Sequence, residues 1–176
     1  MTSPDRAKDF ARGVRSESQL SQLLRVRELP NFAFGSARAD VRGWPVYCSD
    51  AVLVGTVESI LVDVRNRAVR YLGMALSDPE TRSPTGTVLV PIGLASRPGD
   101  RHAVVLKTVS SADLATVPRV HARPVTRGDE EAVLATYGIT MPRAARGGDF
   151  YARPAFSEHR VFGVSVLDDA EGESNG

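Results

Sequence analysis

The sequence predicts a mostly β protein: a small antiparallel β-barrel with short helices and a C-terminal extension. Three observations predict it. Short runs of β-branched residues recur about every ten residues, punctuated by Gly, Pro, Asp and Asn. No long helical repeat separates them. Several runs are also apolar on both faces, with Leu72, Met74 and Leu76 on one side of a strand and Val69 and Tyr71 on the other. An open sheet with one wet face does not need this, whereas a barrel whose outside is partly covered does.

The elements follow in order. Residues 1–22 form a polar arm of mixed charge, without the apolar stretch of a signal peptide. Leu23, Val26 and Leu29 open the barrel domain, residues 23–118. Pro45–Cys48 is a short strand and Ser49-Asp50-Ala51 a turn. Val52–Val64 is a long strand, with Gly55 as a bulge or a point of close approach. Arg65-Asn66 turns the chain and Ala68–Leu76 returns as its antiparallel partner. Ser77–Gly86, with two prolines and a glycine, reads as a loop. Thr87–Ile92 is a strand with Pro91 at an edge or an end, Arg97–Arg101 a turn, and Ala103–Thr108 another strand. Ser110 or Ser111 caps a short helix that Pro118 stops.

Residues 119–160 are an extension of different character. Thr126 can cap a helix, Asp129, Glu130 and Glu131 suit its N-terminal dipole, and Gly138 suits its end. A basic, glycine-rich loop from Met141 to Gly148 leads to the aromatic Asp149-Phe150-Tyr151. Residues 161–176 hold a candidate last strand, Val161–Leu167, and an acidic small-residue tail expected to be flexible.

Composition narrows the function classes. The net charge of +1 favours no nucleic-acid partner, and 42% hydrophobic residues argue against wholesale disorder. A lone cysteine, Cys48, excludes an internal disulfide and a thiolate-built metal site. No apolar run is long enough for a membrane-spanning helix. Arginine outnumbers lysine 20 to 2. That bias fits GC-rich coding, and it also fits forked contacts to carboxylates and lipid phosphates.

No catalytic constellation stands out. There is no phosphate-loop pattern, dinucleotide fingerprint or nucleophile elbow, and His102, His121 and His159 lack metal-ligand spacing. The three adjacent carboxylates at 129–131 point in different directions on one helical turn, which disfavours an acid–base pair. Trp44, between Gly43 and Pro45, reads as a core or interface anchor. If Arg42 and Arg70 are buried they need carboxylates, and Asp40 and Asp63 are the nearest.

The runs Asp40-Val41-Arg42-Gly43-Trp44-Pro45-Val46, Gly55-Thr56-Val57, Leu61-Val62-Asp63, Val69-Arg70-Tyr71-Leu72 and Leu89-Val90-Pro91-Ile92 resemble the PRC-barrel family. The order beyond the barrel is similar to the cytoplasmic part of the H subunit of purple-bacterial photosynthetic reaction centres. It comprises Val117-Pro118-Arg119, Val125-Thr126, Asp129-Glu130, Ala135, Tyr137, Gly147-Gly148 and Tyr151-Ala152 with Pro154.

The resemblance implies a PRC-type barrel without enzymatic activity. It would cap the cytoplasmic side of the membrane-spanning core subunits as a peripheral protein, shield the quinone sites and aid proton delivery to the secondary quinone. It implies no cofactor in this chain, with bacteriochlorophyll and quinones in the partner subunits. Asp129 and Glu130 fall on the family's proton-path acid pair, and Asp63 on an aspartate near a strand turn. Arg42, Trp44, Arg70, Tyr137 and Tyr151 are the docking candidates, facing the core subunits and lipid headgroups. The chain departs from the family in three ways. The family's N-terminal membrane helix is absent, so the resemblance implies either a separate small membrane chain as the anchor or docking by the barrel alone. The turn that carries a proton-uptake histidine in some members reads Arg65-Asn66-Arg67. About eight residues are inserted between Tyr137 and Gly147, and Asp50-Ala51 replaces the family's Asp-Gly turn. A free PRC-barrel module, a soluble homodimer without a photosynthetic role, is the alternative.

Overall fold

A computed structural model describes residues 23–29, 34, 40–78, 80–81, 83–120, 124–140, 148–157 and 159–162. The strands are β1 (Leu23–Arg25), β2 (Pro45–Tyr47), β3 (Leu53–Asp63), β4 (Ala68–Ser77), β5 (Pro84–Pro91), β6 (Ala95–Ser96), β7 (Val104–Leu106) and β8 (Arg119–Val120). The helices are α1 (Ser111–Thr116), α2 (Arg127–Thr136) and the single turns α3 (Gly148–Tyr151) and α4 (His159–Phe162). Single 3₁₀ turns lie at Val26–Glu28, Ile92–Leu94 and Pro154–Phe156.

All eight strands join one curled sheet in the order β6-β7-β2-β3-β4-β5-β8, with β1 also on β3. Its backbone is the β3–β4 hairpin, in which β-branched residues on both strands bury both faces. Val57, Ile60, Val62, Val69, Leu72 and Met74 all lie within the core. β3 bends at two register shifts, between Val57 and Ser59 and between Leu61 and Val62. The bend lets β2 pair with its first half and β1 with its last three residues. Gly55 is a point of close approach, since a Cβ there would sit 2.0 Å from the carbonyl oxygen of Ala75.

The sheet is a half-barrel closed through its backbone. β6 and β8 end the sheet and do not pair with each other. Yet β5 and β6, five strand positions apart, are joined by only Ile92–Leu94. In a flat sheet five spacings would separate them by about 24 Å. The chain from Pro91 to Ala95 reaches at most about 14 Å. The sheet must therefore curl until its ends meet across this turn. β7 consequently arrives running in the direction of β2 and pairs with it in parallel, Val46 opposite Val104, an exception to the expected all-antiparallel pairing.

Two expectations need correction. The loop expected over Ser77–Gly86 is shorter, because β5 begins at Pro84. Asp78 holds the turn by accepting from the amides of Glu80 and Thr81 and from the Thr81 hydroxyl. The exposed residues Pro84, Thr85 and Gly86 carry no apolar alternation to reveal the strand. Val161 and Phe162 end a helical turn instead of opening a strand, and Val161 is buried where α4 meets β6 and the 92–94 turn. The Asp149–Tyr151 patch, for which the sequence set no conformation, lies in a helical turn. The N-terminal arm, the glycine-rich loop up to Gly147 and the tail after Phe162 lie outside the described residues.

The extension lands on the closure. The Pro154–Phe156 turn packs on the Ile92–Leu94 turn so closely that a Cβ on Gly93 would lie 2.1 Å from the Pro154 carbonyl oxygen. Neither partner is a flexible side chain, so backbone must move. Gly93→Ala is expected to lower the unfolding free energy by about 2 kcal/mol or more. A denaturant midpoint equal to that of the unmodified protein would contradict this packing.

Candidate functional site

The described residues bring one ionisable cluster together in the interior, where α2 crosses the barrel. Thr126 caps the helix: its hydroxyl accepts from the Asp129 amide at 3.2 Å, and its own amide donates to Asp129 Oδ2 at 2.8 Å. This capping box consumes the Asp129 carboxylate locally. Glu130 comes next and shares a face with Val133 and Leu134, three and four residues on. That face packs against the barrel, and Glu130 is 0% exposed. Glu131 points to solvent. The three adjacent acids thus diverge as expected, but the helix N-terminus accounts for only one of them.

A buried carboxylate is costly unless its lone pairs are filled. Glu130 Oε2 accepts from the Tyr71 hydroxyl at 3.0 Å and the Tyr151 hydroxyl at 2.8 Å. Arg127 Nη1 lies 3.6 Å from Oε1. The Arg127 guanidinium also rests on the Phe150 ring, 3.2 Å from its centroid. Phe156 meets Tyr71 and Tyr151 edge-on, at centroid distances of 5.4 and 5.0 Å, so aromatic edges and faces wall the carboxylate.

The cluster continues toward the β3–β4 turn. Arg70 stacks over the Tyr151 ring at 4.5 Å and places Nη2 3.6 Å from Asp63 Oδ2. Asp63, itself 2% exposed, organises the turn by accepting from the amides of Arg65 and Asn66 and from the Asn66 side chain. Asp63, Arg70, Tyr151, Glu130 and Arg127 therefore form a continuous run from the hairpin turn to the start of α2.

The remaining candidates divide between the interior and the surface. Arg42 forms its expected pair with Asp40 through two nitrogens, exposed at the surface. The pairing holds the Asp40 carboxyl below the usual carboxylate range, chiefly through the guanidinium hydrogen bond. Trp44 is half-buried and stacks on His102 at 4.9 Å. Arg70, Tyr137 and Tyr151 turn inward: Tyr137 donates to the Leu89 carbonyl at 3.1 Å, latching the end of α2 to β5. They hold the extension to the barrel and leave little surface for a partner. Tyr71, Arg127, Phe150 and Phe156 were not anticipated. The signal for Tyr71 was available, since a phenol on a strand apolar on both faces needs a buried acceptor.

Burial and the negative charge of Glu130 push the Tyr71 phenol far above its ordinary value of 10.0, and burial does the same to Tyr137. Burial, with Asp50 and Asp113 nearby, pushes the Cys48 thiol up to about 11. Among the described residues no cluster of His, Cys, Asp and Glu could hold a metal ion, and no helix is long and apolar enough to cross a membrane.

Residues 35–111 match the family model of the PRC-barrel domain. The match takes in Asp63, Arg70 and Tyr71 and stops before Arg127, Glu130 and Tyr151. The ionisable cluster thus straddles the join between the domain and its extension.

Two measurements follow. Glu130→Ala strips two buried phenols of their acceptor and is expected to cost about 3 kcal/mol, with Glu130→Gln costing less because an acceptor oxygen remains. A loss below about 1 kcal/mol for the alanine variant would show the phenols find other partners. Tyr71 also gives a pH signature. Its folded value lies above the unfolded value of about 10, so its contribution is complete below pH 10 and is lost as pH rises beyond it. The slope is about −1.4 kcal/mol per pH unit for each such tyrosine. Denaturant midpoints from pH 8 to 11.5 should fall less steeply for Tyr71→Phe than for the unmodified protein, Cys48 and Tyr137 being common to both. Parallel curves would rule the signature out.

Proposed function

We propose that this PRC-barrel protein is a non-catalytic cap on the cytoplasmic face of a membrane-embedded photosynthetic reaction centre. It binds no cofactor itself. Bacteriochlorophyll and quinones belong to the membrane-spanning core subunits it docks against. It stabilises those subunits, shields their quinone sites and helps deliver protons to the secondary quinone. A separate small membrane chain or lipid headgroups supply the anchorage.

The observation that supports this reading is Glu130. The residue that the resemblance places on the proton path is a carboxylate enclosed in the interior, hydrogen-bonded by two phenols through Oε2 and ion-paired with a guanidinium 3.6 Å from Oε1. A stability-driven sequence would be expected to put an apolar side chain there, since an enclosed ion pair contributes little net stability over one. Such a carboxylate suits proton transfer, because burial and charged neighbours set its proton affinity. Asp129, committed to the helix cap, is the weaker relay candidate of the two. Asp63 stands at the far end of the run, beside the hairpin turn that solvent reaches.

Copurification of the tagged chain with membrane-spanning core subunits tests the cap. Elution alone, together with normal quinone reduction in membranes lacking the chain, would remove it. The relay is tested separately: Glu130→Gln should slow second-electron transfer to the quinone at least about tenfold, as expected for losing a proton-transfer group, and Asp129→Asn much less. Equal rates in all three proteins would end the relay and leave the cap standing.

A free interaction module acting as a homodimer is the second reading. The PRC-barrel match favours it, because it covers the domain alone and carries no assembly with it. Light scattering on the isolated protein that gives a stable dimer without membrane association selects this reading.

A further inference from the structure

An open groove of about 630 Å³ lies beside the parallel β2–β7 pair, away from the Glu130 cluster. That size suits one small molecule or one lipid. Its floor follows from strand alternation. Val46, Val104 and Leu106 are buried in the core, so Pro45, Tyr47 and Val105 face the other way, half-buried, with Tyr47 opposite Val105. The same alternation brings Lys107 to the groove, where Arg101 and His102 join it, all three exposed. Among the described residues no acid lines the groove. Asp100 lines a neighbouring notch with Trp44, and Asp50 is taken up by the Ser111 amide and hydroxyl, which donate to it. Neither Arg101 nor Lys107 forms an ion pair among the described residues. Trp44, stacked on His102, stands at the rim.

We propose that this groove binds the headgroup and upper acyl chain of an anionic phospholipid at a membrane surface. Charge selects the head. Two uncompensated cations and an imidazole line the groove, and they suit a phosphate. The apolar floor suits the chain below it. The backbone argues against an extended peptide as occupant. β2 is already paired with β3 and β7, and β7 with β2 and β6, so neither offers a free edge for strand addition. An acyl chain needs no such edge, because it has no amides to pair. The groove is open, so the lipid need not leave the bilayer to enter it. Trp44 and Tyr47 supply rings with an apolar body and a polar tip, the kind that settle at headgroup level. The inference rests on the lipid anchorage of the proposed cap and gives it a site, but it needs neither the core subunits nor the proton relay.

Cosedimentation of the full chain with vesicles tests it. Vesicles that contain phosphatidylglycerol should bind at least about tenfold more tightly than pure phosphatidylcholine, and sodium chloride should weaken the binding. Arg101→Gln with Lys107→Gln changes only exposed side chains and should weaken it about thirtyfold. Arg27→Gln with Arg65→Gln removes the same charge at the other end of β3, where β1 pairs, and should leave it within about twofold. Trp44 is the only tryptophan, so its emission should change on binding in the unmodified protein and stay unchanged in the groove variant at the same lipid concentration. Equal affinity for the two kinds of vesicle overturns the proposal. So does an equal loss in the two variants, which would make the attraction a matter of net charge. Binding of polyglutamate without binding of vesicles would assign the groove to an acidic polypeptide, and binding of inorganic phosphate alone would reduce it to a free-anion site; either overturns the lipid. The vesicles hold no core subunits, so failure here does not touch the cap, and failed copurification does not touch the groove.

Discussion

The constraint on which the architecture depends is the shortness of the link between β5 and β6. Three residues, Ile92–Leu94, connect strands at nearly opposite ends of one sheet, and a flat sheet would pull them apart. Curling, the parallel approach of β7 to β2 and the enclosed core all follow from this reach limit. The curl also makes both faces of β3 and β4 apolar. One face looks into the half-barrel, and the outer face needs a cover.

The extension supplies that cover, at the point where the sheet meets itself. The 154–156 turn and α4 rest on the 92–94 turn and β6, and α2 lies along β5 through Tyr137. Covering an apolar face with a helix would ordinarily favour an all-apolar contact. Here one position of the contact is Glu130, and the chain surrounds it with two phenols, an arginine and the rings of Phe150 and Phe156. The arrangement trades stability for an ionisable group held in a defined place, and that exchange is what directs attention to function.

Much of the fold was legible in the sequence, and the reasons are local. The long β-branched runs of β3 and β4 with Arg65-Asn66 between them signal a hairpin, and Thr126 with Asp129 signals a helix start. The pairs Arg42–Asp40 and Arg70–Asp63 were legible from proximity along neighbouring strands and turns. The two-residue strands β6 and β8 are too short to show any period, and the polar opening of β5 hides its alternation. Glu130 was legible only in part. Grouped with Asp129 and Glu131 it looks like dipole compensation, whereas counted with Val133 and Leu134 it falls on the buried face.

The position of Tyr71 has a consequence for how the chain is divided. It lies inside the residues that match the PRC-barrel domain, but its acceptor, Glu130, lies outside them. Gly93 is likewise inside, pressed against Pro154 outside. Family boundaries mark what is shared between proteins, and they need not mark what folds together. In this chain the matched residues and the extension share one buried interior, so the unit that packs together is larger than the unit that the family match marks.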